Sequence, residues 1–205
     1  MISLDYAARQ MTGAWKMAFG AENWRRSLDR SLEDVFASFQ SIIFVAPLTL
    51  FFTFIAIGAA DKGGALADTV YGKSSAPVLV FVEFLTLAFD WAASIAVLVV
   101  VARAFGGGRE AAELIIGYNW TQPILAALRL PAMAIYAAGD AQPLSQAVEL
   151  ATLGLMIALV WGVVRRGLGA GFGVSAAVVA ALLVCVGLAD LAVASIAHAI
   201  VSPQS

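Results

Sequence analysis

The sequence predicts an all-α membrane protein, a polytopic helix bundle of five transmembrane helices preceded by an N-terminal cytoplasmic amphipathic helix. Three observations predict it. Of 205 residues, 61% are hydrophobic and only 13% charged, about half the charged share of a soluble domain. The apolar residues gather in five segments, each long enough to cross a hydrocarbon layer of about 30 Å. The lysines and arginines collect on alternate connections between those segments, as the positive-inside rule requires.

Residues 1–34 form the cytoplasmic segment. Leu4, Ala8, Met11 and Trp15 recur at spacings of three and four among Asp5, Arg9, Gln10, Thr12 and Lys16. That spacing predicts an amphipathic helix lying on the membrane surface or on the bundle, with Gly20 as its stop. Glu22 precedes Arg26 by four residues, which predicts a second short helical stretch, and Ser31-Leu32-Glu33-Asp34 reads as a capping box. No continuous apolar region lies in the first fifteen residues, so no cleavable leader is expected. Trp15 and Trp24 are the expected contacts to a partner or to the membrane surface.

The transmembrane domain follows over residues 35–205. Its spans are expected at about 35–60, 76–102, 112–136, 144–164 and 174–200. The first is uncharged and holds Pro47; the stretch from Asp61 to Ser75 then returns the chain through a polar loop. A turn containing Gly106-Gly107-Gly108 leads to the third span, which Pro123 and Pro131 should kink or break. Gly139 to Pro143 is a turn, and Arg165 and Arg166 close the fourth span. Gly167 to Gly173 is read as a tight hairpin or close helix packing, since neither a preceding strand nor a following Gly-Lys-Ser or Gly-Lys-Thr makes it a phosphate loop.

Counting lysine and arginine by side gives nine (Arg9, Lys16, Arg25, Arg26, Arg30, Arg103, Arg109, Arg165 and Arg166) against two, Lys62 and Lys73. The N-terminus is therefore expected in the cytoplasm of a cell with this protein in its inner membrane, and the C-terminus outside. A net charge of −2 without a basic stripe excludes a nucleic-acid partner. One cysteine, Cys185, and one histidine, His198, cannot build the usual nitrogen and sulfur metal site, so neither metal nor cofactor is expected. His198 and Asp190 are eight residues apart, offset by about 80° on a helix, which argues against an acid/base pair and against an enzyme.

The connection between the second and third spans carries a resemblance. Ala102-Arg103-Ala104-Phe105-Gly106-Gly107-Gly108, then Gly117-Tyr118 and Pro123 opening a membrane segment, resembles the Yip (Ypt-interacting protein) family of five-span membrane proteins. The Asp-Leu-Tyr-Gly-Pro motif of its eukaryotic members is absent, so small-GTPase binding is not carried over. What the resemblance implies is a non-enzymatic organising or adaptor role, binding other membrane proteins or itself, with Gly117, Tyr118 and Pro123 as structural signature positions.

The residues themselves point to a second class of function. An ionisable side chain at membrane depth costs about 2.5 to 3.5 kcal/mol and marks either a polar core or a transport path. Glu83 and Asp90 share one face of the second span with Leu87 and Ser94, about 10 Å apart along its axis. Opposite chain direction puts Arg129 at the depth of Glu83, as its expected ion-pair partner, and Asn119 and Gln122 nearer Asp90; Asp190 falls in the same outer half, with Glu149 nearer the surface. Trp91 and Trp120 sit beside these residues as core or cavity lining, and Tyr71 and Tyr136 read as outer interfacial aromatics. A polar core fixing helix pairing and a small carrier or channel for an ion, proton or solute both fit this set.

Overall fold

Ser3 starts the chain's first helix by accepting the Tyr6 N–H at 3.2 Å, and Gly20, at a left-handed φ of 75°, ends it. The structure, a computed structural model, describes residues 3–29, 31–61, 68–105, 109–138 and 142–201. Residues 1–2, Arg30, residues 62–67 of the first connection, the Gly106–Gly108 turn of the second, residues 139–141 of the third and the last four residues lie outside the described residues. Helix α1 spans Leu4–Phe19 and α2 Trp24–Ser27; α3, Leu32–Ser38, runs through a 3-10 turn at Phe39–Ser41 into α4, Ile42–Asp61. After α5, Val70–Lys73, come the long helices α6, Ala76–Ala104, and α7, Arg109–Leu128; α8 is Leu130–Ala138, α9 Gln142–Gly167 and α10 Phe172–Val201. The described residues are helices and connections without a strand.

Among the described residues, four stretches are long and apolar enough to cross a membrane: Leu32–Asp61, Ala76–Ala104, Pro143–Gly167 and Phe172–Ile196. The chain is accordingly an all-helical, multi-pass membrane protein. These stretches coincide with the first, second, fourth and fifth expected spans. The Ser31–Asp34 capping box is present, with Ser31 Oγ accepting the Asp34 N–H at 3.1 Å. The expected third span is instead two helices that meet at Arg129. Pro131 is the cause: it has no N–H to give Ala127, and its ring clashes with that carbonyl. Pro123, by contrast, lies inside α7 without ending it.

Helix α7 occupies the centre. Every residue from Glu113 to Thr121 is buried, and α1, α3, α4, α6 and α9 all pack on it. The approach is close because the contact positions are small. A side chain at Gly117 would meet Met17 Sδ of α1 at 2.6 Å, and one at Gly162 of α9 would overlap the Ala18 carbonyl. Arg166 adds a cation at the carbonyl end of α1, where the helix dipole favours one. Its Nη1 donates to Ala18 O at 2.7 Å and to Gly162 O at 3.1 Å.

The face by which α1 attaches differs from the one expected. Ala7, Gln10, Gly13, Ala14, Met17 and Ala18 are buried, whereas Leu4 is 76% exposed and Trp15 42%. The larger apolar side chains lost this position to small ones because only a small-residue face permits the backbone approach seen at Gly162. Trp15 instead stacks on Phe19, their rings 4.6 Å apart, facing away from the bundle. Trp24 is not an exposed contact: it is buried in the core cluster beside Leu28, with the Arg25 guanidinium 4.7 Å above its ring. Residues 1–34 thus share their core with the transmembrane domain through α1, α2 and α3.

Candidate functional site

Beyond Thr121 the surroundings of α7 change. A cavity of 860 Å³ opens between α4, α5, α6, α7 and α10, within the usual range for small-molecule sites. The α6 stripe of Glu83, Leu87, Asp90 and Ser94 lines one wall, as the seven-residue spacing predicts. Helix α7 contributes Tyr118, Gln122 and Leu125, followed by Arg129 at the break; α10 contributes Asp190. Five of the six expected polar residues, Glu83, Asp90, Gln122, Arg129 and Asp190, therefore face one space.

Asn119 does not. It is fully buried at the closed end, where its Oδ1 accepts the Trp91 indole N–H at 2.7 Å and its Nδ2 donates to Ser38 Oγ at 2.8 Å. Ser38 in turn donates to Val35 O at 2.6 Å. This chain ties α3, α6 and α7 together below the cavity floor. Trp91, 8% exposed, serves both purposes, one edge in the network and the other on the cavity wall. Trp120 is wholly in the core, edge-on to Tyr6 at 6.0 Å.

The expected Glu83–Arg129 ion pair is replaced by two other contacts. Glu83 accepts a hydrogen bond from the Tyr71 hydroxyl, and the Arg129 guanidinium sits 5.2 Å from the centre of the Phe52 ring. Depth along the helices brought the two charges to one level but did not fix their direction around the helix axes, and Tyr71 reaches Glu83 first. Among the described residues the ion pairs are Arg9–Asp29 and Arg25–Glu113, both at the α1–α2 end. Asp90 Oδ1 is buried with no hydrogen-bond partner, whereas Ser94 and Gln122 lie beside the Tyr118 hydroxyl. A buried polar atom left without a partner costs about 1–3 kcal/mol, more when charged.

A second cavity of 570 Å³ adjoins the first and shares Thr49, Phe52, Tyr71, Glu83, Arg129 and Met156 with it. It continues toward Tyr136, Ser145 and Glu149. Tyr71 is thus the site residue that the sequence did not single out, because it lies in a connection that folds back over the helix ends. Its pairing with an acid twelve residues away leaves no local spacing signal.

The three signature positions have physical roles here. Gly117 admits Met17, Tyr118 is buried with its ring on the cavity wall, and Pro123 is buried within α7. Among the described residues no cluster of three or more His, Cys, Asp or Glu side chains is placed to hold a metal ion. No protein-family model, curated protein or solved structure matches the chain.

Proposed function

We propose that this protein is a small membrane carrier that binds a polar solute in the cavity between α4, α6, α7 and α10. One observation carries the reading: α6, α10, α5 and the break between α7 and α8 place Glu83, Asp90, Asp190, Tyr71 and Arg129 around one space. Unpaired carboxylates persist there only if something other than protein meets them. In this reading α7 and α8 together make a fifth crossing, antiparallel to α6 and α9. The nine-to-two charge asymmetry supports a cytoplasmic N-terminus and an inner-membrane location, with the cavity on the outer side.

The test is Asp90→Asn in proteoliposomes and in detergent. The carrier reading expects solute uptake or binding to be lost while the yield of folded, monodisperse protein is unchanged. Equal loss of both would make Asp90 part of the structural core and end the reading.

An organising or adaptor role of the Yip type is the second reading, supported by the Gly117-Tyr118 and Pro123 resemblance and by one surface feature. The stacked Trp15–Phe19 pair and Leu4 leave an apolar strip on the outer face of α1. Such a strip fits the membrane interface, a membrane-protein partner or a second copy of the chain.

A further inference from the structure

The cavity carries charges of both signs, held apart along the helix axes. Counting about 1.5 Å per residue from the Ala104, Arg109 and Phe172 ends puts Asp90 about 21 Å, Asp190 about 27 Å and Arg129 about 30 Å along the bundle. Arg129 is exposed to both cavities and has no carboxylate within ion-pair distance among the described residues. Its guanidinium rests on the Phe52 face, which leaves its in-plane N–H groups directed elsewhere than at the ring. At the deeper end, Asp90 Oδ1 is buried without a hydrogen-bond partner. Glu83 is already engaged by Tyr71.

A simple cation would be drawn to Asp90 and Asp190 but would leave Arg129 unanswered. A simple anion would meet the reverse. We propose that the solute is a small zwitterion of amino-acid type, its carboxylate on Arg129 and its ammonium between Asp90 and Asp190. The proposal rests on the carrier reading and names its substrate class. The axial offset between Arg129 and the two aspartates, about 3 to 9 Å, admits amine-to-carboxylate separations from that of an α-amino acid to that of a five-carbon ω-amino acid.

The experiment is calorimetric titration of the full-length protein in nanodiscs with length-matched probes. These are β-alanine and 5-aminopentanoate as zwitterions, propylamine and pentylamine as cations, and propanoate and pentanoate as anions. At least one zwitterion should bind about ten-fold or more tightly than its matched cation and anion, the share expected of one charged hydrogen-bonded contact. Arg129→Gln should remove that advantage and leave the matched amine bound as well as the zwitterion; Arg129→Lys, which keeps the charge, should retain part of it and controls for misfolding. If an amine binds the native protein as tightly as its zwitterion and Arg129→Gln changes neither, the zwitterion assignment is wrong and the carrier reading stands. If none of the six probes binds, both fall.

Discussion

The two halves of α7 differ in both neighbours and chemistry: Gly117 in the first packs against Met17 of α1 and Val163 of α9, and the second faces the cavity lined by α4, α6 and α10. From Glu113 to Thr121 the helix is buried on every side, and Asn119 has partners for both ends of its amide. From Gln122 to Leu128 it borders the cavity with Gln122 and Leu125, and Arg129 follows at the break with its guanidinium over the Phe52 ring. The first half holds the bundle together, although the Trp120 indole N–H there is also buried without a partner, and the second half differs in bordering a cavity whose wall carries the unpartnered Asp90 carboxylate oxygen. Glu113 marks the boundary at the other end, its side chain 5% exposed and paired with Arg25 at 3.2 Å.

The comparison predicts that substitutions at the closed end cost fold and those at the open end cost binding. Gly162→Val should have the largest effect, because a branched side chain there overlaps the Ala18 backbone. We expect a loss of about 3 kcal/mol or more, or no folded protein, read as early aggregation in size exclusion of the detergent-solubilised chain. Asn119→Ala leaves the Trp91 N–H and the Ser38 hydroxyl buried with one partner fewer each. About 2–3 kcal/mol should be lost, visible as a lower Tm with any residual ligand affinity unchanged per folded molecule. If Asn119→Ala is as stable as the native protein, the closed end is not the structural half.

Trp15→Ala should have the smallest effect on stability, under about 1 kcal/mol, since the ring is half exposed on the outer face of α1. Its use lies in separating the two functional readings. Loss of a co-purifying membrane protein or of a homo-oligomer with Trp15→Ala, and no change in solute binding, would give the α1 surface a function of its own. No change in either would confine function to the cavity.

Much of this was legible in the sequence, and the misses share a cause. The apolar runs gave four long helices to within a few residues, and the spacing of Glu83, Leu87, Asp90 and Ser94 gave the cavity wall, because both depend on one helix alone. What depends on two helices at once was not legible. The face of α1 differs because hydrophobicity favours Leu4 and Trp15, whereas packing puts Met17 on Gly117, Ala18 on Gly162 and Gly13 on Ser27 and Leu28. The partner of Glu83 was misassigned because chain direction gives depth but not azimuth. The break expected at Pro123 or Pro131 falls at Arg129, two residues before Pro131, with the Arg129 guanidinium over the Phe52 ring.

Residue Tyr6 shows how far the closed end extends. Its hydroxyl donates to Asp34 Oδ1 at 3.1 Å, and its ring meets Trp120. Burial, then the bond to Asp34, pushes its phenol above the ordinary tyrosine range. The N-terminal helix is thereby locked to α3 and α7 by a contact that stays protonated at any physiological pH.

The most direct measurement of the central claim is the thermal stability of Asp90→Asn beside native protein in the same nanodiscs without solute. A cavity wall kept unsatisfied for a ligand predicts a Tm equal to or above the native value, because the substitution removes an unpaired charge from membrane depth. A drop as large as that of Asn119→Ala would show that Asp90 is a structural partner and that the cavity wall is not kept unsatisfied for a ligand.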